Sequence, residues 1–309
     1  MGRYLLKRLS QAVLVVISVM VVVFVVTRLI GDPVAVMLPL EATEENRAIL
    51  EAQLGLDRPI LVQLGHYIVD AVQLDLGDSL WQRRPAIDIV LERLPPTIVL
   101  VVAGFVLGVL LGVVIGVVSS LRPGGWVDRA AVTLGLLGVS LPQFWIGLMF
   151  IVFFSVGLGW FPTSGSGGIE FLVLPAVVLA LPIVGRIALV TRSSMIDEMN
   201  AQHVKDAVAR GVSRTRIVLV HALKGAGIAT LTIAGWELIG ALAGGAVVVE
   251  TVYAWPGIGF TAMQAIERHD IILVQAVVFV VAIMVVTINI IVDITYAMLD
   301  PRVKLDRAR

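Results

Sequence analysis

Apolar residues occur in six long runs that are separated by shorter polar segments. An α-helix needs about 20 mostly apolar residues to cross a bilayer, and each run has roughly that length. The pattern therefore predicts an all-α integral membrane protein with six transmembrane helices. The predicted spans are 10–29, 97–118, 131–156, 172–190, 228–249 and 271–292.

Polar residues or prolines interrupt two of these runs. Pro142 and Gln143 lie within the third run, and Pro175, Pro182 and Arg186 lie within the fourth. Such breaks are tolerated where neighbouring helices or a polar cavity satisfy the freed backbone groups. We therefore expect the third and fourth spans to be buried in protein or to line a path.

The distribution of basic residues predicts the orientation. With the N-terminus inside, 15 of the 23 Lys and Arg residues fall on inner segments, as the positive-inside rule requires. The first run is longer than a signal-peptide core and no small-x-small site follows it, so we interpret it as a retained anchor. Both termini are predicted to be cytoplasmic, as residues 1–9 and 293–309. The long segment 30–96 is predicted to be extracytoplasmic.

The extracytoplasmic segment shows helical patterning. Thr43 is a candidate cap for a helix over residues 44–54. A second amphipathic helix is indicated after Pro59, and it either lies on the outer membrane face or the spans, or is an ordinary exposed surface helix. Its apolar positions are Leu61, Leu64, Ile68, Ala71 and Val72.

Four glycines recur at every fourth position of the second span: Gly104, Gly108, Gly112 and Gly116. Residues spaced by four lie close together on one face of a helix. Small residues allow another backbone to approach closely in lipid. We therefore predict a packing groove, whose partner helix belongs either to this chain or to another subunit.

The predicted cytoplasmic loop 191–227 is too long for a simple connection. Its pattern predicts a helix to about Arg210, a stop at Gly211, a cap at Ser213 and a second helix. The loop is thus a helix–turn–helix hairpin on the membrane surface. A DNA-binding motif is not favoured, because the hairpin is wedged between two spans and lacks a base-reading face.

Composition excludes several classes of protein. Hydrophobic residues make up 58% and charged residues 15% of the 309 residues, far from the usual soluble domain. Equal numbers of basic and acidic residues, 23 each, leave no global field for nucleic acid. The absence of cysteine excludes disulfides and thiolate metal sites.

Enzyme and self-powered transporter functions are also disfavoured. The sequence has no G-x-x-x-x-G-K-[ST] phosphate loop and no H-E-x-x-H, and its four histidines fall outside the predicted spans. We therefore predict no catalytic residue and no metal site. A secondary transporter would predict inverted repeats, and no convincing repeat relates the two halves.

Polar residues within the spans are candidates for a substrate path: Gln143, Arg186, Glu237 and Asn289. Such residues are costly in lipid and normally face the protein interior. Glu237 lies near the middle of the fifth span. It either meets an amino group of a substrate or only pairs with Arg186, and the sequence leaves both possibilities open.

The cytoplasmic loop resembles the EAA loop of bacterial ABC importer permeases, and more narrowly that of the dipeptide, oligopeptide and nickel family. The resemblance rests on residues 205–213 followed by 221–226, with departures at Asp206, Val208 and Gly225. Shorter patches of the same family occur in order along nearly the whole chain. They are Gly31–Pro33, Leu54–Pro59, Asp75–Ser79, Gly159–Pro162, Glu250 with Trp255–Gly259, and Leu299–Arg302.

This resemblance implies a type I ABC importer permease in a bacterial inner membrane. It implies a second homologous permease, two cytoplasmic ATPases that bind ATP and Mg, and an extracytoplasmic solute-binding protein. This chain itself would bind no cofactor and no nucleic acid. Peptides are the expected solute, with nickel chelates and glutathione as alternatives. The resemblance also implies that the loop couples to the ATPase, through Asp206, Ala207, Gly211, Ser213, His221 and Leu223.

Overall fold

The structure is a computed structural model that describes residues 2–30, 43–45, 52 and 57–299. The long elements within these ranges are helices. They are α1 (Gly2–Ile30), α2 (Ile60–Val72), α3 (Ala86–Ser120), α4 (Trp126–Ser140), α5 (Gln143–Phe150), α6 (Ile169–Met199), α7 (Gln202–Ala209), α8 (Leu223–Gly240), α9 (Ala246–Val252), α10 (Ile258–Glu267) and α11 (Ile271–Leu299). Short π-helical segments occupy Ile151–Gly157, Ile217–Ala222 and Ala241–Gly245.

Among the residues that the structure describes, five helices are long and apolar enough to cross a membrane, which confirms the predicted all-α, multi-pass class. They are α1, α3, α6, α11 and the continuous helix Arg214–Val252, which contains α8. The predicted third span is instead a pair, α4 and α5 with its π-helical extension, bent by 104°. Leu141 and Pro142 between them are extended, since proline disfavours helical geometry in the residue before it. A sixth span exists only if this bent pair is counted as one.

Helix bounds differ from the predicted spans where helices continue into polar sequence. Helix α3 begins at Ala86 rather than at residue 97, and α6 ends at Met199 rather than at residue 190. The predicted loop helix ending near Arg210 is therefore not one helix. It consists of the end of α6 and the separate α7, because Ala201 is extended between them. Hydropathy marks the apolar part of a helix, whereas the main-chain hydrogen bonds continue beyond it.

The predicted helix over 44–54 and two family-like patches, Gly31–Pro33 and Leu54–Pro59, lie mostly or wholly outside the described residues. So does the tail after Leu299. The second predicted helix is present as α2. Ala71 on α2 is fully buried, whereas Leu61 and Val72 are exposed, so only part of the predicted apolar face packs within the chain.

The chain divides into two compact units. The first comprises the described parts of Met1–Thr97 together with Pro256–Ile288. Its core joins α1, α2, the start of α3, α10 and α11 around buried side chains such as Met20, Ile89 and Leu273.

The second unit comprises Ile98–Trp255 with the described part of Asn289–Arg309. Helix α6 is its central element, because α4 and α8 both pack along it. The side chains of α6 that point inward, such as Val178 and Ile187, are fully buried. Helix α6 also carries the groups that form the candidate site.

Candidate coupling loop and membrane-embedded polar site

Helix α7 ends in a tight, fully hydrogen-bonded turn at Gly211. The N–H of Gly211 donates to Val208 O at 2.9 Å, and the N–H of Val212 donates to Ala207 O at 3.1 Å. This pair of bonds is the Schellman arrangement, which requires a residue of positive φ after the helix. Gly211 supplies it, with φ of 74°. The local sequence thus fixes the direction in which the chain leaves α7.

A small apolar core holds the loop together. Val204, Ala207 and Ile217 are buried against one another, and Met199 and Val212 pack on them. The contact ties α7 to both the end of α6 and the beginning of the Arg214–Val252 helix. Residues 199–217, which we call the knob, are therefore a compact element at the junction of two span-length helices.

The predicted coupling residues occupy different environments in this knob. Ala207 is buried, so its small side chain serves a contact within the chain. Asp206 is exposed and accepts a hydrogen bond from Gln202 Nε2 at 2.9 Å. Ser213 stands at the N-cap position, but within the described residues its side chain makes no capping hydrogen bond. Its carbonyl accepts from Ile217 N at 3.0 Å instead.

His221 and Leu223 lie beyond the knob, in the helix that enters the membrane region. His221 belongs to the π-helical segment Ile217–Ala222 and is half-buried. Leu223 packs on a second apolar cluster that includes Met195 and Ala226. The structure thus places these two residues away from the tip at Gly211.

The four glycines of α3 contact α6 of the same chain. A Cβ built on Gly108 would lie 2.7 Å from Ile183 Cβ, and one on Gly112 would lie 2.7 Å from Ile187 Cβ. Gly104 and Gly116 approach Leu179 and Thr191 of α6 in the same way. The predicted groove therefore has an intramolecular partner, and α6 sits closer to α3 than any larger residue would permit.

Arg186 of α6 and Glu237 of α8 form an ion pair. Nη1 of Arg186 donates to both carboxylate oxygens of Glu237, at 2.8 and 3.0 Å. The arginine side chain is 51% exposed, whereas that of Glu237 is only 8% exposed. Of the two alternatives for Glu237, the structure shows the pairing with Arg186, and Arg186 is the more exposed member of the pair.

The other two candidates for the substrate path, Gln143 and Asn289, do not contact the Arg186–Glu237 pair through hydrogen bonds within the described residues. Gln143 begins α5, and its Oε1 lies 3.8 Å from the position of a Cβ on Gly245. Asn289 is exposed on α11. Within the described residues, neither side chain hydrogen-bonds to Arg186 or Glu237.

A second ion pair, between Asp128 of α4 and Arg192 of α6, was not predicted from the sequence. Asp128 is buried and accepts from Nε and Nη2 of Arg192, and from Gly124 N at 2.7 Å. An acidic residue in the first turn of a helix was the available signal, since it also suits the helix dipole. Its partner lies 64 residues away, so the sequence does not reveal it.

We expect this pair to stabilise the packing of α4 on α6. Arg192→Gln leaves the buried carboxylate of Asp128 with the Gly124 N–H as its one remaining hydrogen-bond donor among the described residues. The expected loss is about 1–3 kcal/mol of stability, measured as a lower midpoint of thermal unfolding in detergent. The double variant Asp128→Asn/Arg192→Gln should lose less, because no unpaired charge remains buried.

The exposed pair Arg84–Glu92 offers a matched control. Solvent-exposed ion pairs contribute little, so Arg84→Gln should leave the midpoint nearly unchanged. A double variant that is no more stable than Arg192→Gln would show that the charge of Asp128 is not what destabilises the single variant.

A third buried carboxylate, Asp270, organises the first unit. It is fully buried and accepts hydrogen bonds from Ser79 Oγ, Trp81 N and Leu273 N. It thereby caps the start of α11 and holds the turn that contains the family-like patch Asp75–Ser79. Arg268 covers Trp81, with its guanidinium carbon 4.3 Å from the ring centroid. This arrangement is structural, because all three donors belong to the chain itself.

Among the described residues, no group of three or more His, Asp or Glu side chains could hold a metal ion. Two arginine–carboxylate pairs instead involve α6 in the second unit. The protein thus combines three features. It has a compact surface loop, a close contact between the glycines of α3 and α6, and an ion pair, Arg186–Glu237, within two spanning helices.

Comparison with protein families identifies the class. Residues 108–305 match the family described as the inner membrane component of binding-protein-dependent transport systems. Residues 1–101 match the family described as the N-terminal part of such a membrane component. The chain therefore belongs to this family. It is a multi-pass inner-membrane permease subunit of an ABC importer, and it works in a complex with other subunits.

Individual relatives are similar over the whole chain. A protein of Brucella abortus (strain 2308), named as a permease of a peptide transport system, is 36% identical over 99% of this chain and 100% of its own length. A peptide ABC transporter permease of Sinorhizobium fredii is 36% identical over 98% of this chain and 100% of its own. The glutathione transport system permease of Salmonella choleraesuis is 36% identical over 98% of this chain and 99% of its own.

Proposed function

We propose that this chain forms half of the translocation pathway of a peptide importer, beside a second homologous permease. An extracytoplasmic binding protein delivers the solute. The names of the Brucella and Sinorhizobium relatives support peptides as the solute. The glutathione permease relative is equally similar and favours glutathione, itself a small peptide, as the second candidate. Nickel chelates remain an alternative from the resemblance alone.

Transport is powered by two cytoplasmic ATPases that hold ATP and Mg. The sequence has no phosphate loop of its own, which supports a separate motor and a permease without enzymatic activity. No cofactor is assigned to this chain. The ATPases must then bind the permease at a rigid element on its cytoplasmic side.

The knob formed by α7 and the Gly211 turn is that element, and its geometry is the observation that carries the proposal. It joins α6 directly to the Arg214–Val252 helix, so a displacement of the knob moves two span-length helices. Val208 is 58% exposed there, so the loop offers an apolar side chain to a partner.

Basic side chains surround the exposed apolar tip. The loop carries Lys205, Arg210, Arg214 and Arg216, all exposed. They are placed to pair with acidic groups on the ATPase. Their number is also what the positive-inside rule alone produces, so the turn geometry supports the docking role more strongly than the charges do.

The experiment is reconstitution of this permease in proteoliposomes with its second permease, ATPases and binding protein. We expect uptake of labelled di- or oligopeptide that requires ATP, the binding protein and this chain. Glutathione and a nickel chelate are assayed in parallel. ATP-driven uptake of glutathione alone would assign the second candidate, and solute uptake by this chain without ATPases would overturn the proposal.

A further inference from the structure

Arg186 is an exposed charge in the middle of a buried helix. It lies close to the midpoint of α6 (Ile169–Met199), which is itself apolar and long enough to span a membrane. Its neighbours Ile183, Ile187 and Ala188 are buried, whereas half of the Arg186 side chain is open. The exposure is therefore specific to the arginine.

Lipid is an unfavourable surrounding for this side chain. A charge at the centre of a bilayer is costly, and such groups face a water-filled cavity or another protein group. Its partner Glu237 lies near the middle of the predicted fifth span, 228–249, so the ion pair holds the guanidinium of Arg186 within the span. The face of the second unit that carries it must then line an aqueous path or a protein contact.

The hydrogen bonds of Arg186 leave one edge of the guanidinium open. Nη1 makes both contacts with Glu237. Within the described residues, no hydrogen bond involves Nε or Nη2. The N–H groups of these two nitrogens point to the same side of the planar guanidinium. They can therefore donate two parallel hydrogen bonds to the two oxygens of one carboxylate.

The surroundings of the pair on α8 are open as well. Trp236, next to Glu237, is 69% exposed. One turn further, Gly240 and Gly244 have no atom of the described residues within 4 Å of a built Cβ. The π-helical segment Ala241–Gly245 lies at the same place, and such segments are frequent at functional sites. The small residues that follow Glu237 along the chain therefore leave space for a solute.

We propose that the Nε–Nη2 edge of Arg186 binds the carboxylate of the solute in transit. The inference rests on the proposed function, since peptides and glutathione both carry a free C-terminal carboxylate. Glu237 is the positioning residue: it holds the guanidinium through Nη1 and turns the second edge toward the open side.

Glu237 also limits how tightly the solute is held. Its negative charge offsets that of Arg186, so an arriving carboxylate meets a neutral pair with two donors and no net cation. A transport site must bind strongly enough to admit the solute and weakly enough to release it. The pair thus selects for a carboxylate without trapping it.

The test compares a peptide with its C-terminal amide in the complete reconstituted transporter. The peptide sequence is chosen so that the binding protein binds the free acid and the amide with equal affinity. Wild type should transport the free acid about tenfold faster than the amide, as expected for the loss of a charge-assisted hydrogen bond. In Arg186→Gln/Glu237→Gln, which leaves no unpaired buried charge, the ratio should fall to about one.

Glu237→Gln gives an independent readout. The substitution keeps Arg186 but removes the opposing charge, so the free acid should show a lower KM together with a lower kcat, while the amide changes little. Arg192→Gln is the matched control, because it also breaks an ion pair of α6. It should affect both peptides equally and leave their ratio at the wild-type value.

The outcomes separate this inference from the proposed function. If wild type transports the acid and the amide equally, or if the double variant keeps the wild-type ratio, the inference is wrong and peptide transport stands. Equal losses for both peptides in the double variant would indicate that Arg186 pairs with the partner permease instead. If wild type transports neither peptide, the proposed function itself fails.

Discussion

Gly211→Val is expected to abolish coupled uptake while the protein still inserts and folds. Gly211 has φ of 74°, a region that is strained for a β-branched residue by about 1–3 kcal/mol. No atom of the described residues beyond the two chain neighbours lies within 4 Å of a built Cβ, so backbone strain rather than crowding of the Cβ is the main cost. The strain is instead relieved by opening the turn, and the two Schellman bonds to Ala207 and Val208 are lost. The knob then no longer transmits movement of the ATPases to α6.

The measurement is ATP-driven uptake in proteoliposomes beside ATP hydrolysis by the same preparation. We expect uptake to fall at least about tenfold, with hydrolysis retained but no longer dependent on solute. Gly159→Val is the matched control, because Gly159 has φ of 65° and is equally open, but lies in a different loop, after the π-helical segment Ile151–Gly157. It should carry the same strain and keep uptake. Wild-type uptake by Gly211→Val would rule out the coupling role of this turn.

Gly112→Ile is expected to separate α3 from α6 and to destabilise the second unit by about 3 kcal/mol. A Cβ at Gly112 already lies 2.7 Å from Ile187 Cβ and 3.1 Å from Val184 O, and the rest of the isoleucine side chain would have no space. In lipid, van der Waals contact rather than the hydrophobic effect holds helices together. Lost contact is therefore not recovered by repacking against lipid in the same geometry.

Thermal unfolding in detergent and the monodisperse fraction after size exclusion measure this effect. Gly227→Ile is the matched control, since Gly227 is another helical glycine, with no atom of the described residues within 4 Å of a built Cβ. It should unfold near the wild-type temperature. If Gly112→Ile unfolds at that temperature as well, the close contact between α3 and α6 is not a source of stability.

Local patterns in the sequence account for much of the fold. Apolar runs identified the long spanning helices, because burial in lipid depends on composition over about 20 residues and hardly on neighbours. The positive φ at Gly211 was predictable because glycine is the residue that adopts it without strain after a helix. The close approach at Gly108 and Gly112 followed from their spacing, although the spacing did not name the partner helix.

Contacts between distant residues could not be read in this way. Asp128 and Arg192 are 64 residues apart, and Arg186 and Glu237 are 51 apart. Each pairing depends on the rotation and axial position of α6 against its neighbours, which many side chains set together. For the same reason the sequence suggested a coupling contact for Ala207, whereas the packing of α7 on Ile217 turns that side chain inward.

The sequence by itself determined that this protein is a multi-pass helical membrane protein with a surface loop in which a helix ends at a glycine, because hydropathy and backbone preference act over a few neighbouring residues. The tertiary structure alone decided which helix the glycines of α3 contact and the choice of Arg186 over Glu237 as the exposed charge. Such features follow from how helices pack, and packing couples residues that the chain holds far apart.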